Sequence, residues 1–126
     1  MTDDSTTSLA IPMDPNMAFT SLSNSRRRRI LLSLSRTSGK TTAGDLAIEI
    51  AAIENGLDPS EISGQERTSV YISLTQTHLE TLDDAGAIEY DERSKTVEPT
   101  DVTEPLAEYI RRLQTACYKP DTEANA

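Results

Sequence analysis

Apolar residues recur at helical spacing in four stretches of the chain and alternate with polar ones in a fifth. The first helix is predicted over Asn24–Arg36, where Ile30, Leu31 and Leu34 form one stripe, with Ser23 as its cap and Ser38-Gly39 as its stop. The second follows Thr41-Thr42 and reaches Glu54. Thr42 caps it, Asp45 complements the dipole in its first turn, and Leu46, Ala47, Ile50 and Ile53 give its apolar face. Asn55-Gly56 ends it, and Leu57–Ile62 is a connector. A third helical stretch runs from Gly64 to Ala85. Ser63 and Glu66 have capping-box spacing, Val70, Leu74, His78 and Leu82 lie four apart, and Gly86 stops the stretch. A four-residue repeat drifts slowly around a helix, so the pattern permits one bent helix or two short ones.

The period then changes. Ala87–Asp91 alternates as a half-buried strand does, Glu92–Lys95 reads as a turn, and Thr96-Val97-Glu98 returns. A final helix is predicted over Thr103–Tyr118, with Glu104 and Pro105 in its first turn. Residues 1–15 are polar and interrupted by prolines, which predicts a flexible arm. Asn16–Leu22 begins to pack through Met17, Phe19 and Leu22, and 119–126 reads as a disordered tail. The predicted fold is mainly α with a small β-hairpin. Three helices followed by a hairpin is the winged helix-turn-helix order, here over residues 16–100, with a C-terminal helix at 101–118.

Composition narrows the function. With 126 residues, 36% hydrophobic and 4% aromatic, the chain buries one modest core. No run of about 18 apolar residues predicts a membrane span. Met1–Ser8 lacks the basic start and apolar stretch of a signal peptide, so a cytoplasmic protein is expected. Cys117 and His78 are the only residues of their kinds, which excludes an intrachain disulfide and an ordinary zinc site. Cys117 reads as a small buried hydrophobe or as an intersubunit thiol. His78 reads as a core-edge histidine bonded to a backbone group. The five glycines are scattered singly and no nucleophile–base set stands out, so neither a cofactor nor catalysis is expected. The net charge of −9 comes from 21 acids against 12 bases, of which only Lys40, Lys95 and Lys119 are lysines. Such a surface suits a cytoplasm rich in salt, where like-charge repulsion is screened.

The segment Gln76-Thr77-His78-Leu79-Glu80-Thr81-Leu82-Asp83-Asp84-Ala85-Gly86-Ala87-Ile88-Glu89-Tyr90 resembles the junction of recognition helix and wing in ArsR-like regulators. Leu22-Ser23-Asn24-Ser25-Arg26-Arg27-Arg28, together with Asp45-Leu46-Ala47, looks like an uncharacterised winged-helix family of halophilic archaea. The resemblance covers Leu22–Pro99. It implies a winged-helix fold and a transcriptional role. The cysteine-rich motif of metal-sensing ArsR proteins is absent, so control by a metal is not implied.

In that fold the third helix reads double-stranded DNA from the major groove. With Val70, Leu74 and Leu82 inward, its outward set is Arg67, Ser69, Ser73, Gln76 and Thr77. Arg93 and Lys95 sit at the wing tip, placed either for phosphates or in a solvated turn. Arg26, Arg27, Arg28 and Arg29 oppose the dipole at the start of a helix. Ion pairs with Asp83, Asp84 or Glu89 would offset this, or a phosphate backbone would. Leu106, Ile110, Leu113 and Cys117 are spaced as in a coiled coil. They predict a homodimer seam, or a stripe buried on its own domain. Leu22–Pro99 carries nine bases and thirteen acids, so DNA binding requires the bases to gather on one face. A protein-interaction module is the competing expectation, with a basic face over Arg67, Arg93 and Lys95 as the discriminating feature.

Overall fold

The computed structural model describes residues 10–37 and 39–118. Helix α1 spans Pro15–Leu22, α2 spans Ser25–Thr37 and α3 spans Ala43–Asn55. Helix α4 (Gly64–Ser73), a π turn (Leu74–His78) and α5 (Leu79–Asp84) run on as one long helix. Helix α6 spans Thr103–Ala116. Strands β1 (Thr41–Thr42), β2 (Ile88–Asp91) and β3 (Thr96–Pro99) form an antiparallel sheet in the order β1-β3-β2. The chain is thus a mainly helical domain with a hairpin wing, as its pattern predicts.

Local chemistry sets the boundaries. Thr42 Oγ1 accepts from Asp45 N–H at 3.1 Å. Ser63 and Glu66 form the reciprocal box, each bond 3.0 Å long. Gly56 closes α3 at φ 65°, a left-handed conformation in which a Cβ is strained. The cap of α2, however, is Asn24, whose Oδ1 accepts from Arg26 N–H (2.8 Å) and Arg27 N–H (3.2 Å). The Ser23 hydroxyl is turned the other way, donating to the Thr20 carbonyl at the end of α1 and accepting from Arg27 Nη2. Ser38, expected to help stop α2, lies outside the described residues.

The widened turn resolves the ambiguity over the third helix. Residues four apart advance about 40° beyond a full turn at each step. The N–H of Leu79 donates to the carbonyl of Leu74, five residues back, and this extra residue per turn takes up the drift. Val70, Leu74, His78, Leu79 and Leu82 are all buried as a result. Hydroxyl groups brace both edges: Thr75 Oγ1 donates to Tyr71 O and Thr81 Oγ1 to Thr77 O, each at 2.9 Å.

One core joins Ile30, Leu31 and Leu34 of α2 to Leu46 and Ile50 of α3, to the long helix, and to Ile88, Val97, Leu106 and Ile110. Leu106 and Ile110 are 0% and 1% exposed within a single chain. They cannot form the expected intersubunit seam, because α2 needs a cover and α6 supplies it in cis. Leu113 and Cys117 remain on the surface, so Cys117 is not the buried hydrophobe expected. The arm expected over 1–15 gives way to packed structure in its described part: Ile11 and Met13 rest on the core, and Asp14 caps α1 by accepting from Asn16 N–H. Residues 1–9 and the expected tail at 119–126 lie outside the described residues. Leu22 packs inward as expected, whereas Met17 and Phe19 face out.

Candidate nucleic-acid interface

The long helix turns its polar side to solvent. Arg67, Ser69, Gln76 and Thr77 are exposed and Ser73 is half-buried. Gln65, Thr68 and Ile72 are exposed alongside them, and sequence reasoning overlooked all three. The signal was available, since 65, 68, 69, 72 and 76 follow helical spacing. Along α4 the only acid is Glu66, whose carboxylate is engaged by the Ser63 N–H. The C-terminal end differs, with Glu80, Asp83 and Asp84 all exposed. One half of the helix therefore presents hydroxyls and amides, the other carboxylates.

The wing is acidic. From Gly64 to Pro99 there are eight acids and three bases. Glu89 on β2 lies directly opposite Glu98 on β3, a like-charge pair that weakens the ladder. Lys40 Nζ lies 3.6 Å from Glu98 and offsets part of this. A shallow hollow is lined by Asp83, Glu89, Asp91, Glu92 and Glu98, with Arg93 beside them. At the tip, Asp91 Oδ1 accepts from Arg93 N–H at 3.0 Å and Asp91 O from Lys95 N–H at 2.7 Å. The turn forces Lys95 to φ 61°. Arg93 is exposed and Lys95 half-buried, and the basic face expected to join them to Arg67 does not form.

Cations gather elsewhere. Seven of the twelve bases are arginines of α2 and α6: Arg26–Arg29, Arg36, Arg111 and Arg112. Arg26 grips Glu54 with two bonds, Nε–Oε2 at 2.6 Å and Nη2–Oε1 at 2.8 Å. The hydrogen bond from Arg26 holds the Glu54 carboxyl below the usual carboxylate range. Arg27 donates to Thr20 O (2.9 Å), Ser23 Oγ (3.0 Å) and His78 Nδ1 (3.1 Å). Arg28 donates to Leu22 O. The arginine run that opposes the dipole of α2 thus satisfies the bare carbonyls ending α1, where positive charge is favourable. Arg26, Arg27 and Arg28 thus spend part of their hydrogen-bonding capacity within the chain. Asp83, Asp84 and Glu89 are not the partners. The acid that pairs is Glu54, 28 residues from Arg26.

His78 also departs from expectation. It is buried, but its partner is the Arg27 guanidinium and not a backbone group. A guanidinium only donates, so Nδ1 accepts and the ring proton resides on Nε2. Burial, followed by the charges of Arg27 and Arg26, pushes its pKa below the ordinary value against the pull of Glu54. Among the described residues, no group of three or more metal-ligating side chains is gathered, and no helix is long and apolar enough to cross a membrane.

These features define a winged-helix domain with a polar long-helix face and an acidic wing. Residues 19–98 match a family described as a domain of unknown function, DUF7344, and the chain belongs to that family. No curated protein and no solved structure gives a significant match to the chain.

Proposed function

We propose that the protein is a DNA-binding transcriptional regulator that reads the major groove with α4 and the π turn. The observation that carries this reading is the exposed, nearly uncharged face of Gln65, Arg67, Thr68, Ser69, Gln76 and Thr77 on a helix fixed to the core. Residues near the start of such a helix meet base edges. Gln pairs bidentately with adenine, Arg with guanine, and Ser or Thr with either. The basic face over Arg67, Arg93 and Lys95 that would favour DNA by charge is broken by the wing's carboxylates, which speaks for a protein partner. The DNA reading rests on the long-helix face alone, and the acidic wing takes no part in the contact. Affinity comes from direct hydrogen bonds and shape, because concentrated salt weakens the drive from counterion release.

A second reading has its own support. The hollow of Asp83, Glu89, Asp91, Glu92 and Glu98 suits a basic protein segment, as an interaction module would bind. Titrating the full chain into labelled DNA from upstream of its own gene, in concentrated KCl, separates the two. The regulator binds in a sequence-dependent way, and Gln76→Ala or Arg67→Ala lowers affinity roughly tenfold to a hundredfold, as losing one bidentate base contact does. Sequence-independent binding, or none, removes the DNA reading and leaves the protein-partner reading.

A further inference from the structure

Val70 and Ile72 stand two residues apart on α4, which sets them about 200° apart around the helix axis. Val70 is 3% exposed and faces the core, so Ile72 sits near the middle of the opposite side, where it is 44% exposed. It is the one large apolar side chain that the long helix turns to solvent, since Leu74, Leu79 and Leu82 are buried and Tyr71 is half-buried. An isoleucine there adds nothing to the core, and its β-branch makes it a poorer helix former than glutamine, glutamate or lysine. Its exposed neighbours one turn away are Thr68, Ser69 and Gln76, all able to hydrogen-bond and none charged. A single alkyl group thus stands among donors and acceptors.

That combination matches one kind of base-pair edge in the major groove. Thymine presents a methyl group beside a carbonyl acceptor, and its adenine presents a donor beside an acceptor, whereas guanine and cytosine present no alkyl group. An alkyl side chain flanked by amides and hydroxyls meets such an edge without leaving polar groups unpaired. A protein interface is centred instead on a cluster of apolar and aromatic anchors, which this face lacks. A chain at net −9 gains little from charge on approaching phosphates, and a methyl contact releases no counterions, so concentrated salt leaves it standing. Ile72 and Gln76 lie about 6 Å apart along the axis, or about two base-pair steps. Resting on the DNA reading above, we infer that Ile72 is a specificity-determining residue that packs on the C5-methyl group of a thymine, within about two base pairs of the adenine taken by Gln76. The long helix therefore reads a site with A·T pairs at its centre.

Selection of the preferred sequence from randomised duplexes, with the full chain in concentrated KCl, supplies the probe. Each thymine of the selected duplex is then replaced in turn by uracil, which removes the methyl group and keeps the pairing. One replacement is expected to weaken wild-type binding about fourfold, the worth of burying one methyl group. Ile72→Ala is expected to bind the thymine and uracil duplexes alike, and to select no thymine at that position. Its thermal unfolding should match that of the wild type, because the side chain lies outside the core. Sequence-dependent binding that no uracil replacement weakens, or a replacement that weakens Ile72→Ala equally, overturns the role of Ile72 and leaves the DNA reading in place. Failure to select any sequence removes both.

Discussion

Replacing His78 by Gln tests how the Arg27–His78 contact makes stability depend on pH. In the folded chain Nδ1 accepts from Arg27, and burial and two neighbouring guanidiniums lower the ring's pKa. In the unfolded chain the ring titrates near 6.5. As pH falls through 6.5 the unfolded state takes up a proton that the folded state refuses, so folding weakens with acidification and is insensitive to His78 above that value. One proton limits the slope to about 1.4 kcal/mol per pH unit, or roughly 4–8 °C in Tm for each kcal/mol in a domain of this size. The assignment is clean because His78 is the only histidine. The acids with shifted pKa values (Glu54, Asp58 and Asp91) are shifted downward in the folded chain. They add a slope of the same sign only towards about pH 5, so the His78 slope is read above about pH 5.5. Urea unfolding at half-unit steps from pH 7.5 to 5 measures the slope. In His78→Gln the amide oxygen can still accept from Arg27, so the slope should vanish while stability at pH 7.5 changes little. A wild type that is flat over this range, or gains stability on acidification, refutes the reasoning.

Two further substitutions test the packing. Thr103 is 1% exposed, and its hydroxyl donates to Ala87 O (2.7 Å) and accepts from Thr100 N–H (2.8 Å), which ties the start of α6 to the strand entry. Thr103→Val preserves the shape and leaves both backbone groups unpaired, so urea unfolding should register a loss of about 1–3 kcal/mol; an unchanged midpoint would contradict this. Lys95 occupies left-handed backbone at φ 61°, so Lys95→Gly should raise stability by about 1 kcal/mol whereas Lys95→Ala, which keeps a Cβ, should not. Equal midpoints for the two variants count against strain at the wing tip.

Most of the fold was legible because its signals are local. The Thr42 cap, the Ser63–Glu66 box, Gly56 and the alternation of Ile88–Asp91 each act within a few residues, and each stands where the pattern puts it. What escaped was either too short or too distant. Thr41-Thr42 is a two-residue strand that exists only because Val97 and Thr96 lie alongside it, and two residues display no period. The eight residues of α1 likewise carry too few turns for a stripe to emerge. The fate of the arginine run depends on Glu54, Thr20, Leu22 and His78, which only the folded chain brings to one place. The stripe of α6 was read correctly as apolar, but its pattern cannot say which molecule supplies the other side. The outward face of the long helix and the acid excess around it could be read from the sequence, whereas the pairing of Glu89 with Glu98 needed the strand register.

The placement of the guanidiniums has a consequence for selectivity. A tract of four exposed arginines attracts polyanions by charge. Here three of those four side chains are occupied by the chain's own carbonyls, imidazole and carboxylate, and the outward surface near the wing repels phosphates. Under the proposed DNA reading, adsorption to nucleic acid by charge alone is weakened, and the long helix would select its partner by fit.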